Sequence, residues 1–373
     1  MARRQKYPIL SYQPLRLLFQ VTYISSIIIR LPLWVIVSLV RPLRPLPQWT
    51  FRQTFMSRVL HALTDFGSRI GITETLSLEP GDEGDQFQVI QPSTLDVYQG
   101  PLASFPDTKP VKVGGTWYPR PLSKEDAPSK TVGLYFHGGA YVLGTGRKAQ
   151  FGWGCSTLAA RTDLDAVFAV QYRLAAYSGC SGFPAALQDA VTGYAFLLHD
   201  LQIPASQIVL AGDSAGANLV VALLRYIREF GDELRVPPPR CGVLVSPWVA
   251  PFDHDTSRNP RRATDYLPSS FLRWGAVAYA GHVPAAETHP YVTPLGNPFR
   301  APAPIFASSG SAEIFFEDVG RWAEEMKAVE GNRIEFYEEV DACHDSMITS
   351  PALGFADSAH KVVDNIAAFM RRC

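Results

Sequence analysis

The stretch IVLAGDSAGANLVVALL, residues 208–224, decides the fold. Its β-branched apolar start reads as a buried strand, and the run of Ala, Leu and Val after it reads as a helix. Between them stand Gly212, Asp213, Ser214, Ala215 and Gly216. Glycines two residues before and two residues after a serine let the backbone double back at the joint, where only small side chains fit. Such a turn pushes Ser214 Oγ into the open and sets the amino end of the following helix beneath it, favouring negative charge. A helix N-cap is the ordinary role for a serine at this place. The glycine spacing, with a strand before and a helix after, favours a nucleophile instead. No phosphate loop competes, because Gly-x-x-x-x-Gly-Lys is absent.

Working outward, TVGLYFHGG, DAVFAVQYR, CGVLVSPWV, APIFASSGS and RIEFYEEV read as further strands. WGCSTLAARTD, ALQDAVTGYAFLLHD, DVGRWAEEMKAV and SAHKVVDNIAAFMRR read as helices between and after them. QFQVIQP and VKVGGTWYP resemble a hairpin ahead of the series. Continuous apolar strands alternating with helices predict an α/β fold with a mostly parallel sheet covered on both faces. Ligands of such sheets gather beyond the carboxyl ends of the strands. His137, Ser214 and Glu313 all follow strands.

Serine is a poor nucleophile without a base. Of eight histidines, His344 stands just after the last predicted strand, in EEVDACHDSM. His289 precedes a proline in a turn-rich region, and His360 lies in the final helix, so both are weaker choices. An acid must orient the imidazole. ASSGSAEIFFED places Glu313 soon after a strand, while Glu317 and Asp318 suit the first turn of the next helix. The order Ser214, Glu313, His344 is the one expected of an α/β-hydrolase. YFHGGAYVLG, residues 135–144, offers backbone N–H groups of Gly139 and Ala140, joined by that of Ala215, to a developing oxyanion. His137, beside Gly138, supports that loop rather than acting as base.

The sequence resembles the hormone-sensitive-lipase-like branch of α/β-hydrolases, with its arylacetamide deacetylase-like and microbial carboxylesterases. The resemblance spans roughly residues 111–372 and rests on HGGAY, GDSAG, QYRLAAYSGCSGFPAALQD and LVSPWV. It implies a serine carboxylesterase acting on small to medium apolar esters, with Gly139, Ala140 and Ala215 as oxyanion donors. It also implies a helical lid built from about residues 15–75 and 251–290, to which SSFLRWGAVAYAG belongs. Three departures stand out: Glu313 replaces the usual aspartate, Ala140 replaces the third glycine, and the segment after Ala176 carries Cys180. The domain reading is a helical region at 1–80 and a catalytic domain at 81–373, with its lid insertion near 251–290. Amide deacetylation or acyl transfer on a secondary metabolite would use the same residues. A non-catalytic ligand-binding protein of this fold would tolerate loss of the serine, base or oxyanion turn, and all three are intact.

Formal net charge is −1, giving no bulk attraction to nucleic acid. The five cysteines form no Cys-x-x-Cys pair, so no zinc site is expected, and the chemistry needs no metal or cofactor. The odd cysteine count and the lack of an Asn-x-Ser/Thr acceptor fit an intracellular, reducing compartment, cytoplasmic or membrane-associated, the endoplasmic reticulum included. Residues 17–40 are apolar and long enough to span a bilayer, yet Arg30 sits near the middle and Pro32 follows. Basic residues on both sides leave a topology undecided. No convincing cleavage site follows, so a signal peptide is not expected. The segment reads either as amphipathic helices over the core or as membrane contact, and the two are compatible.

Overall fold

The computed structural model describes residues 7–175 and 181–373. The basic segment at 1–6 and the departure around Cys180 lie outside the described residues. Eight strands are described: β1 (Phe87–Ile90), β2 (Val113–Tyr118), β3 (Val132–Phe136), β4 (Ala166–Gln171), β5 (Ile208–Asp213), β6 (Cys241–Val245), β7 (Ile305–Gly310) and β8 (Ile334–Glu339). They form one sheet in the order β1-β2-β4-β3-β5-β6-β7-β8. β2 pairs antiparallel with both β1 and β4, and the remaining neighbours are parallel. The expected hairpin exists as a pairing, but residues 91–112 join its strands rather than a tight turn. Every residue of β3 to β7 is buried, as strands covered on both faces must be.

The helices are α1 (Leu15–Leu39), α2 (Phe51–Ile70), α3 (Lys148–Arg161), α4 (Ala185–Ala195), α5 (Ser214–Leu234), α6 (Ser269–Ala280), α7 (Phe316–Lys327), α8 (Ser346–Leu353) and α9 (Ala356–Met370). On one face of the sheet, Val191 of α4, Leu219 and Leu223 of α5 and Trp322 of α7 pack with Leu134, Phe168 and Leu210. On the other, Cys155 and Leu158 of α3 and Val362 and Ile366 of α9 pack with Tyr135, Val167 and Val209. The strand order changes direction at β3, which lies between β4 and β5. Phe136 is in register with Gly212, so the loops after β3 and β5 leave the sheet side by side. That is where a ligand crevice forms in such sheets.

The N-terminal helices are fixed by different means. Thr50 caps α2 in a capping box with Gln53, and Gly71 at φ +65° ends the helix. α1 lies on α2: Phe19 stacks on Phe66 with centroids 5.9 Å apart, and Tyr23 donates to Asp65 at 2.8 Å. α2 in turn meets α6, where Ser270 donates to Asp65 at 2.6 Å and its hydroxyl lies 2.8 Å from that of Ser68. The outer side of α1 is apolar and exposed, with Leu17, Leu18, Val21, Ile24, Ile28, Ile29 and Ile36 among its residues.

Candidate active site

The turn at β5–α5 is as tight as its glycines suggest. Ser214 holds φ +50°, in the left-handed region that non-glycine residues avoid. A Cβ at Gly216 would stand 1.9 Å from the Phe136 carbonyl oxygen, and one at Gly212 2.6 Å from the Gly216 backbone. Any larger residue at either place would collide with main chain that cannot swing aside. The strain at Ser214 is held by a surrounding structure that is entirely buried.

The loop after β3 rests directly on this elbow. A Cβ at Gly138 would meet the Asp213 carboxyl at 2.1 Å and Ser214 Cβ at 3.1 Å. Gly139, Ala140 and Tyr141 follow at φ +106°, +52° and +62°. Successive left-handed residues turn neighbouring N–H groups the same way, a geometry suited to anions. Among the described residues, the amides of Gly139, Ala140 and Ala215 donate to no protein acceptor. His137 braces the loop. Its ring lies flat on Tyr172, 4.2 Å between centroids, its Nδ1 donates to the Gly138 carbonyl at 2.8 Å, and its own carbonyl accepts from Tyr172 Oη at 2.6 Å. Burial brings its pKa down to about 4, so the ring is neutral and is no base at this place.

Glu313 and His344 come together across the ends of β7 and β8. His344 Nδ1 lies 3.2 Å from Glu313 Oε2, and Ser309 Oγ donates to the other carboxylate oxygen. Both side chains are buried. The His344 ring is flanked by Phe315 at 5.0 Å and Tyr266 at 5.9 Å. Burial alone would lower the pKa of His344. The hydrogen bond and charge of Glu313, with Asp265 and Asp213 beyond it, more than offset this and hold it above its ordinary value. Ser214 Oγ forms no hydrogen bond among the described residues, though His344 is near enough to Asp213, its chain neighbour, to act on that carboxyl. Such bonds are often loose in a free enzyme and tighten around substrate.

The rival groups are engaged elsewhere. Glu317 pairs with Arg261 at 3.0 Å and Asp318 with Arg321, both from the first turn of α7. His289 packs edge-on against Phe183, and His360 stacks on Trp153. Sequence reasoning missed a pair of buried acids. Asp213 accepts from Tyr135 Oη at 2.5 Å and shares a hydrogen bond with Asp345, and burial raises both. The pair links the residue before Ser214 to the residue after His344. The signal was present, as an aspartate beside each. Asp265 was also missed, inside the turn-rich stretch. It accepts from the Ile314 amide at 2.7 Å, beside Glu313, and burial raises it to about 6.

Comparison with known proteins agrees with this architecture. The profile of the alpha/beta hydrolase fold family matches residues 133–348. An acetyl-hydrolase of Streptomyces hygroscopicus is 32% identical over 240 residues, which cover 64% of this chain and 74% of that protein. An ethyl acetate hydrolase of Pseudomonas putida is 29% identical over 241 residues, covering 63% and 68% respectively. Among solved structures, a hormone-sensitive lipase from a metagenome library superposes with a TM-score of 0.58 at 24% identity, covering 70% of this chain and 82% of the other.

Proposed function

The chain belongs to the alpha/beta hydrolase fold family, and from that premise we propose that it is a serine carboxylesterase cleaving small to medium, mostly apolar esters. The contact between Glu313 and His344, taken with the strained, buried Ser214, carries the reading. Because Nδ1 faces Glu313, Nε2 is the nitrogen left for the serine. His344 takes the Ser214 proton as Oγ attacks the ester carbonyl. The amides of Gly139, Ala140 and Ala215 hold the oxyanion. His344 then protonates the departing alcohol, forming the acyl-enzyme. Water, deprotonated by the same imidazole, attacks next and releases the acid. The names of the acetyl-hydrolase and ethyl acetate hydrolase relatives favour short acyl groups.

α1, α2 and residues 251–290 act as the lid. α6 sits on the oxyanion loop, with Tyr279 stacked on Tyr141. A Cβ at Gly275 would come within 2.6 Å of Ala140. α1 is long and apolar enough to cross a bilayer, and only 11% of its most apolar window is buried. Its fastening to α2 through Phe19 and Tyr23 favours lying on a membrane surface over crossing it.

Ser214→Ala tests the assignment. Turnover of p-nitrophenyl butyrate should fall by at least about 10³-fold, with the thermal transition unchanged. Turnover equal to the parent protein would end the assignment.

A further inference from the structure

Between α1, α2 and the loop before α6 lies a cavity of about 440 Å³. Arg30, Arg58 and Arg262 all line it. Among the described residues none of the three lies within ion-pair distance of a carboxylate, whereas Arg69, Arg147 and Arg173 each have one. Arg30 Nε donates to the Ser26 carbonyl and its guanidinium lies 5.2 Å from the Trp34 ring, while Arg262 donates to the Ser257 carbonyl. Among the described residues Arg58 Nε has no partner, and neither do two neighbours lining the same cavity from α2, Ser57 Oγ and His61 Nδ1. Ser57 is buried.

The two acids at the cavity wall do not answer this charge. Asp65 is taken up by Arg69, Tyr23 and Ser270. Asp265 accepts from the amides of Tyr266 and Ile314. A half-buried guanidinium without a counter-charge is an expensive arrangement unless a ligand supplies one. Guanidinium forks match the paired oxygens of phosphate and carboxylate, and a hydroxyl adds a further donor. The volume exceeds what a bare oxyanion needs, and Trp34, Tyr23 and Ala62 give the remainder an apolar wall. The exposed apolar side of α1 runs alongside. The region's composition fits the same ligand, since residues 1–64 hold eight arginines and one lysine but no acidic residue.

We propose that this cavity binds the oxyanion head of an amphiphile, a phosphate or carboxylate whose apolar part lies along α1. Its lining includes none of Ser214, Glu313 and His344, though Asp265 borders both sites, so its failure and theirs can be told apart.

The test is calorimetry on the full chain with two probes, inorganic phosphate and a short-chain ether-linked phosphatidylglycerol that an esterase cannot cleave. The parent protein should bind at least one, and the comparison of the two says whether the free ion or the lipid head is the source. Arg58→Gln combined with Arg262→Gln should weaken that binding at least ~10-fold. Arg58→Lys, which keeps the charge but loses the fork, should fall between. Arg16→Gln combined with Arg41→Gln, removing equal charge outside the cavity, should bind as the parent does. All variants should keep turnover of p-nitrophenyl butyrate. Absence of binding to both probes, or equal loss in the two double variants, would overturn the proposal.

Discussion

The β5–α5 elbow and the α1–α2 pair solve opposite problems. Around the elbow, the strand and the first fourteen residues of the helix are buried, and Asn218 ties the neighbouring loops together, accepting from Tyr141 and donating to the Trp248 and Val292 carbonyls. In the N-terminal pair the polarity is turned round. Isoleucine and leucine face outward on α1, while among the described residues Ser38, Thr54, Ser57 and Arg58 keep buried polar atoms without partners. Exposed apolar surface of this extent marks a contact site, and that outward apolar side is what sets the N-terminal pair apart from the elbow. The elbow is shaped by its own neighbours in the fold. On the proposal made above, the N-terminal pair is shaped for a ligand outside the chain.

The largest expected effect probes the elbow's side of that contrast. Glu313→Gln should lower kcat by about 10²–10⁴-fold, and Asp318→Asn should leave it within about twofold. The pH profile separates orientation from electrostatics. The imidazolium cannot accept a proton, so with His344 as the proposed base activity should rise with pH through its pKa, which lies above its ordinary value because of Glu313. Removing the carboxylate charge lowers that pKa, and the ascending limb of the residual activity should move to lower pH. A larger loss in Asp318→Asn than in Glu313→Gln would move the acid to α7 and break the picture of a catalytic line drawn across the sheet ends.

A middle-sized effect is expected where the two regions meet through α6. A Cβ at Gly275 would stand 2.5 Å from the Ala140 carbonyl oxygen and 2.6 Å from Ala140 Cβ. Gly275→Val therefore pushes α6 away from the oxyanion loop, with an overpacking cost of about 1–3 kcal/mol. Turnover should fall while the binding of phosphate or lipid in the arginine cavity stays. A variant with parental turnover would show that the loop keeps its shape without help from α6.

Legibility in the sequence divides along the same line. Gly212, Gly216 and the His137–Gly139 run could be read because each answers a local backbone demand, a close approach or a left-handed turn, that few other residues meet. The parallel sheet could be read because strands buried on both faces leave unbroken apolar runs. Whether residues 17–40 turn their apolar side inward or outward could not, since helical periodicity is the same in both cases and only the packing of Tyr23 and Phe66 decides it. The Asp213–Asp345 pair was hidden for a related reason: two acids 132 positions apart meet only once β5 and the loop after β8 are placed.

The smallest effect sharpens the comparison most. Tyr23 Oη donates to Asp65 at 2.8 Å and lies 3.2 Å from the Ala62 carbonyl, the polar tie holding α1 to α2. Burial, then the hydrogen bond to Asp65, pushes its pKa up to about 12, so it remains a donor throughout the working range of the enzyme. Tyr23→Phe removes the tie and keeps the ring between Phe19 and Phe66. A hydrogen bond to a half-buried charged group near the surface should contribute about 1 kcal/mol here. Because α1 packs on the periphery, that loss should appear as local opening rather than global unfolding. Amide exchange across α1 should quicken about 5-fold, with the main thermal transition and ester turnover unchanged. If the main transition falls together with α1, the helix is part of the same cooperative unit as the elbow, and its outward apolar side must then be explained without the independence argued for it here.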